Sequence, residues 1–313
     1  MGKGGISKRI VNFASAILSW LRGGTAITTV GASMIFAAVS GSGAATISAI
    51  GGITVPEMLK KGYSRGFTAA MSAGAGSLGP IIPPSVDMIV FGCITGFSIS
   101  RLFVGGIIPG FIIGLSLMIY CYIYAKKRNI DYGGKFRGKV VWAAFKDSIW
   151  ALLMPIIIIG GVMGGAFTAT EAGAVACVYG LIVSVFVYKS MSFKDFINVL
   201  RSASVNMAMV MMIIGFSSIF SYIFALEGMG QKIVDFMLSI TTSPTGLFFL
   251  VIAFMVVIGC FMESLAALPI ILPIIYPMFA SLGVNLNQLG VVFALSTVLA
   301  VLRLLSAYIC SSP

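Results

Sequence analysis

Apolar stretches of about 20 residues recur from one end of the chain to the other, separated by short basic clusters. A helix needs about that length to cross a hydrocarbon core. The pattern therefore predicts an all-α polytopic membrane protein. No period-two alternation of apolar and polar positions is visible, which argues against a β-barrel. The basic clusters are Lys60, Lys61 and Arg65; Lys126, Lys127, Arg128, Lys135, Arg137, Lys139 and Lys146; and Lys189, Lys194 and Arg201. The positive-inside rule assigns all three to the cytoplasm. Segment lengths agree with that placement. Residues 66–97 cross outward, the chain turns around Arg101, and 102–125 returns. Residues 147 to about 165 cross outward, about 169–188 returns, and 202–226 crosses outward again.

Two stretches do not read as simple crossings. Residues 24–59 start beside Arg22 and end beside Lys60, with a poor helix former, "SGSGAAT" (40–46), in the middle. This predicts a re-entrant hairpin: a helix in, a break, and a helix out. Residues of about 246–283 break near "GCFMES" (259–264) and return through "PIILPIIYP", a second hairpin of opposite orientation. A shift of 221 residues lays Ile50 on Ile271, Ile53 on Ile274, Pro56 on Pro277, Gly62 on Gly283, Ala73 on Ala294 and Leu78 on Leu299. The fold class expected is thus an all-α polytopic membrane protein with inverted repeats, two re-entrant hairpins and broken transmembrane helices. Its parts are an amphipathic interfacial helix (1–23), a first hairpin repeat (24–125), a basic cytoplasmic loop (126–146), middle helices (147–240) and an incomplete second hairpin repeat (241–313).

Composition sharpens this picture. Hydrophobic residues make up 59% and charged residues 9% of the chain, with mean hydropathy +1.08. Soluble domains carry about 25% charged residues. The net charge of +11 sits in loops between apolar segments, so it signals topology and not nucleic-acid binding. The chain has no histidine, which removes His-based acid–base catalysis, Ser-His dyads and most zinc sites. Its five cysteines are scattered, with no C-x-x-C pair, and read as small core residues. The chain is expected not to be an enzyme.

The segment "GSLGPIIPPS" (76–85) holds two glycines and three prolines inside an apolar crossing. A break at membrane depth frees backbone N–H and C=O groups, at several kcal/mol each unless protein or water satisfies them. Freed carbonyls and nearby hydroxyls are hard oxygen ligands that suit a small cation, and half-helix N-termini suit an anion. The expected cage for one Na⁺ joins the hairpin tip Ser40, Gly41, Ser42 and Gly43 to Gly79, Ile82, Pro83 and Ser85. The competing reading is a proline kink that only serves packing.

These segments also resemble a known family. "SGSGAATISAIGGITVPEMLKKGYSRGFTAAMSAGAGSLGPIIPPS" (40–85), "RLFVGGIIPG" (101–110), "GGVMGGAFTATEAGAVACVYGLIV" (160–183) and "GCFMESLAALPIILPIIYP" (259–277) resemble the large membrane subunit of TRAP (tripartite ATP-independent periplasmic) transporters, over residues 4 to about 300. The resemblance implies a Na⁺-driven importer of the bacterial inner membrane that works by an elevator motion. It implies a small TRAP membrane subunit and a periplasmic substrate-binding protein as partners. It implies organic-anion substrates such as C4-dicarboxylates and sialic or other sugar or keto acids, with Na⁺ as coupling ion and no other cofactor. A second Na⁺ site would fall at Gly259, Met262 and Glu263. The sequence departs from the family in lacking scaffold helices ahead of "GGIS" and in carrying Leu304 and Leu305 where the repeat calls for a second T-P-P break. The second site is therefore expected to be incomplete.

Single residues carry two readings each. Thr168, Ala169, Thr170 and Glu171 form a capping box, or Thr168 and Thr170 line the substrate path with Ser42 and Glu263. Glu263 at the second tip serves a cation or gate, or caps a helix. Asp87 caps the outer half-helix or touches an ion. Glu57 is expected to pair with Lys60 and Lys61, Arg101 to be a loop charge, and Arg303 to snorkel. The rival functions are a symporter of another inverted-hairpin family without a binding protein, a non-transporting remnant, and, least favoured, an intramembrane enzyme.

Overall fold

The structure, a computed structural model, describes residues 4–259, 261–262, 264–281 and 287–296. Among these the chain is helical, with no strand. Among the described residues, four helices are long and apolar enough to cross a membrane: Ile99–Arg128, Gly138–Met163, Ala169–Val187 and Phe193–Leu226. The chain divides into two compact units. Among the described residues, the first holds those up to Ser85 and Gly106–Asp195; the second holds Val86–Gly105 and those from Phe196 to Ser296.

The first unit opens with α1 (Ile6–Leu18), whose buried face is Ile6, Ser7, Ile10, Val11 and Ala14. This amphipathic stripe has a protein partner: it packs with Ala32, Phe36, Ile50 and Ala151. Its polar side is held by Arg9, whose Nε donates to Asp147 at 3.2 Å and whose guanidinium lies 3.7 Å from the Tyr188 ring centre. The hydroxyl of Ser148 donates to the Arg9 carbonyl at 2.9 Å.

The predicted first hairpin is present as a helix–break–helix. Helix α2 (Gly24–Ser40) ends where Gly41 adopts φ 61°, a left-handed conformation that glycine reaches without steric cost. The return arm is α3 (Gly43–Thr46), a π turn (Ile47–Gly51) and α4 (Gly52–Lys60), with Pro56 inside the last. Helix α5 (Arg65–Gly76) then stops at the second break, and α6 (Val86–Thr95) resumes after it. Helix α7 (Ile99–Arg128) ends on Lys126, Lys127 and Arg128, cations that complement the helix C-terminus. Helix α8 (Gly138–Met163) follows, then α9 (Ala169–Ile182) and a π turn (Val183–Val187).

Three sequence expectations need adjusting. The basic loop predicted over 126–146 is shorter, 129–137, because helix continues through the lysines on both sides. Arg101 is not on the outer turn. It is exposed in the first turn of α7, and Gly96, at φ 69°, marks the turn. Glu57 is exposed and pairs with neither Lys60 nor Lys61; the ion pair among the described residues is Arg9–Asp147. Exposed helical pairs of that kind are worth only ~0.3–0.5 kcal/mol, so little holds them.

The second unit is built from α10 (Phe193–Leu226), α11 (Met229–Ile240), α12 (Pro244–Ile258), α13 (Ser264–Ser281) and α14 (Asn287–Ser296), together with α6. Helix α6 packs on α13, and Phe91 of α6 meets Phe293 of α14 with ring centres 6.2 Å apart. Phe248 of α12 and Phe279 of α13 are 4.9 Å apart. The repeat read from the sequence reappears in the helix boundaries. Carried along by 221 residues, Gly43 at the start of the first return arm lands on Ser264, and Lys60 at its end lands on Ser281, the two ends of α13. Gly283, Leu299, Arg303, Leu304 and Leu305 lie outside the described residues.

A methyl on Gly41 would sit 2.3 Å from the Pro84 carbonyl oxygen, whereas one on Gly96 would meet nothing within 4 Å. Both glycines are left-handed, so each alanine loses ~1–2 kcal/mol of backbone preference. Gly41→Ala should therefore lower the unfolding midpoint in detergent well beyond Gly96→Ala, because only Gly41 adds a backbone clash; equal shifts would mean the tip is not seated as described.

Candidate functional site

The site is where two broken backbones touch inside the first unit. Gly79 of the break lies against the tip: a methyl there would fall 2.6–2.7 Å from Ser42 C, Gly43 N and Ser42 O. Gly41 faces the Pro84 carbonyl and lies near the Ser85 Cα. Gly43 faces the Gly76 carbonyl and the Pro80 ring. Ile47 of the π turn covers Gly76 so closely that no side chain fits there. At Gly41 and Gly79 small residues are needed because main chain packs on main chain; at Gly76 the obstacle is the Ile47 side chain.

The tip orders itself by short polar contacts. Ser42 N-caps α3 by accepting the Ala45 N–H. The Thr46 hydroxyl donates to the Ser42 carbonyl at 2.9 Å, and the Thr46 N–H to the same oxygen at 3.1 Å. Ser40 Oγ is 2.9 Å from Thr46 Oγ1, and either hydroxyl can be the donor of that pair.

The break is acceptor-rich. Residues 77–85 bring nine carbonyls and six N–H groups, because Pro80, Pro83 and Pro84 have none. The N–H groups of Ser77, Leu78, Gly79, Ile81 and Ile82 bond to carbonyls three or four residues back, on Ala73, Ala75, Gly76 and Leu78. Ser85 is fully buried and its hydroxyl donates to the Pro80 carbonyl. Among the described residues no three His, Cys, Asp or Glu side chains come together. A cation here would thus meet neutral hard oxygens, a donor set suited to a small alkali ion.

The structure brings together Ser40, Gly41, Ser42, Gly43, Gly79 and Ser85. Ile82 is adjacent in chain, but its side chain packs toward Gly110 of α7, so it has only main chain to offer. The Pro83 side chain lines an apolar crevice with Met34, Ile107, Phe111 and Pro155. The cage read from the sequence left out Thr46, and it named Gly76 and Pro84 only as part of the break 76–85. Thr46 was findable, four residues after Ser42 on a helix, but Gly76 and Pro84 are picked out only by long-range packing.

Gly259 and Met262 fall in the gap between α12 and α13, where the second break was expected. Met262 borders an apolar cavity of the second unit with Phe216 and Ile258, and Glu263 lies outside the described residues. Thr168 closes a complete capping box: its hydroxyl accepts the Glu171 N–H at 3.3 Å, and its N–H donates to the Glu171 carboxylate at 2.8 Å. Thr170 Oγ1 is 3.1 Å from Thr168 Oγ1. Asp87 is buried in the first turn of α6, where a carboxylate complements the helix N-terminus.

Residues 1–303 match the family described as the tripartite ATP-independent periplasmic transporter, DctM component. The chain belongs to this family. It is thus a multi-pass membrane chain of the TRAP large-permease family, and the relatives it matches are named as transporter permeases. It is 40% identical over 299 residues to the isethionate TRAP transporter permease protein DctMQ of Oleidesulfovibrio alaskensis, covering 95% of this chain and 47% of that protein. It is 37% identical to the C4-dicarboxylate TRAP transporter large permease protein DctM of Vibrio cholerae, covering 95% of this chain and 70% of that one. The sialic acid TRAP transporter permease protein SiaT of Haemophilus influenzae is 33% identical, over 96% of this chain and 49% of SiaT. The chain thus spans about half the length of DctMQ and of SiaT.

Thr168→Ala should cost ~1 kcal/mol of local helix stability, the usual value of an N-cap. Faster amide exchange across the first turn of α9 would report it, and Thr168→Ser should restore the parent rates. Uniform exchange in all three would show that the capping box does not hold this turn.

Proposed function

We propose that this chain carries the Na⁺-binding hairpin and break of a secondary importer for small organic anions in the bacterial inner membrane. The observation that carries the reading is the seating of Gly41, Ser42 and Gly43 on Gly76, Gly79 and Pro84. Two main-chain breaks with surplus carbonyls meet there, and among the described residues no carboxylate cluster competes for the ion. Ser42 contributes a hydroxyl and its neighbours contribute carbonyls. Ser40 and Thr46 hold those oxygens in place through their own hydroxyls. Na⁺, when bound, supplies positive charge that lowers the cost of bringing an anion to mid-membrane. Coupling of this kind is reciprocal, so substrate also tightens Na⁺ binding.

The substrate class rests on the relatives, whose names give isethionate, C4-dicarboxylates, sialic acid and 2,3-diketo-L-gulonate. All are small acids. Ser42, Thr168, Thr170 and Glu263 are the residues proposed along the substrate path, and Gly259, Met262 and Glu263 as a second Na⁺ site. A small membrane subunit and a periplasmic binding protein complete the transporter, which moves its hairpins by an elevator motion.

In the assembled transporter, Ser42→Ala should raise the Na⁺ concentration for half-maximal uptake several-fold while the maximal rate falls less. An unchanged Na⁺ dependence would remove the tip from the cation site. Uptake that proceeds without any added periplasmic protein would contradict the partner assignment.

A further inference from the structure

A second polar centre sits at the base of the same helices whose far ends form the breaks. Helix α2 runs 17 residues from its base at Gly24 to the tip at Ser40, and α5 runs 12 residues from Arg65 to the break at Gly76. The base of α2 has no cap of its own, since Gly23 occupies the N-cap at φ 80°. The cap comes from 106 residues away. Asp131 Oδ2 accepts the Thr25 N–H at 2.8 Å, and the Asp131 carbonyl accepts the Gly23 N–H at 2.9 Å. Two of the four N–H groups a helix start leaves open are thereby met.

The same carboxylate oxygen accepts the Tyr63 hydroxyl at 3.1 Å. Tyr63 lies between α4 and α5, one residue before the Ser64 cap of α5. Its ring stacks on Phe67 of α5 with centres 5.3 Å apart, and Phe67 stacks on Tyr124 of α7 at 3.8 Å. Burial, and the nearby Asp131 charge, push the Tyr63 phenol well above its ordinary pKa, so it stays a donor. One oxygen atom therefore ties the base of the tip-bearing helix to the base of the break-bearing helix.

The loop around Asp131 is built to hold that oxygen. Asn129 and Asp131 adopt left-handed backbone at φ 53° and 49°, a conformation in which non-glycine residues are uncommon. Arg22 Nη2 donates to Asn129 Oδ1 at 2.8 Å, and its guanidinium lies 4.7 Å from the Tyr132 ring centre. The Gly134 N–H donates to the Ser19 carbonyl at 3.2 Å. Gly133 lies so close to the Trp20 carbonyl that any side chain would collide.

We propose that Asp131 is a positioning residue for transport: by holding Thr25 and Tyr63 on one oxygen it sets α2 against α5, and so sets how tip 40–43 seats on break 76–85. The consequence for Na⁺ rests on the function proposed above; the seating itself does not.

The test is amide exchange on the assembled transporter in choline buffer, read on peptides covering 41–47 and 76–82, beside the Na⁺ dependence of uptake. Asp131→Ala should speed exchange at both peptides several-fold and raise the Na⁺ concentration for half-maximal uptake. Asp131→Asn, whose amide oxygen can accept the same two bonds, should stay close to the parent, and Tyr63→Phe should fall between. Asp131→Ala that speeds exchange only at Thr25 and its neighbours, with tip and break unchanged, overturns the proposal, leaving a local cap. Asn behaving like Ala also overturns it, because the acceptor is then not what matters. If Asp131→Ala does not fold, Tyr63→Phe decides: parent rates at both peptides overturn the proposal. Loss of Na⁺ dependence in the parent itself would sink the cation reading alone, since the choline exchange rates decide the seating.

Discussion

Main chain seated on main chain, where two helices break, is the constraint from which the rest of this protein follows. A helix that stops inside a bilayer leaves N–H and C=O groups that hydrocarbon cannot satisfy, at several kcal/mol each. Here the break after α5 turns its N–H groups back onto its own preceding carbonyls, and three prolines reduce the number of donors to be met. What remains is a surplus of oxygen, and the hairpin tip is placed against it. The contact tolerates no side chain at Gly41, Gly76 or Gly79, which explains the glycines on chemical grounds. The helices that carry tip and break share an acceptor near their bases, Asp131 Oδ2, which takes the Thr25 N–H and the Tyr63 hydroxyl.

Much of this was legible in the sequence, for a physical reason. Breaks at depth require Gly, Pro, Ser and Thr, and those residues stand out inside apolar runs. The tip at 40–43, the break at 76–85 and the second gap at 259–263 were all visible for that reason. The 221-residue repeat was visible through Pro56 and Pro277, and the helix boundaries follow the same offset. The capping box at Thr168 and Glu171 was local enough to read directly.

What the sequence hid depends on long-range packing. Ile82 and Pro83 looked equal to Gly79, yet their side chains turn toward α7 and an apolar crevice. Asp131 was not singled out from the sequence, because nothing local says it caps a helix 106 residues away. Glu57 looked like a helical ion-pair partner, but an exposed pair gains too little to be held. The first helix was expected to be amphipathic and to lie along the interface; its apolar stripe faces residues of α2 and α8, which are far off in sequence.

Equilibrium binding of radioactive Na⁺ to the assembled transporter tests the central claim most directly, with Gly79 and Gly96 each replaced by alanine. A methyl at Gly79 would land 2.7 Å from the Ser42 carbonyl oxygen, while one at Gly96 meets open space. The account predicts that Gly79→Ala weakens Na⁺ binding at least tenfold and that Gly96→Ala leaves it unchanged. Parent-like Na⁺ affinity in a folded Gly79→Ala protein would contradict it, and the meeting of the two breaks would then be packing without a bound ion.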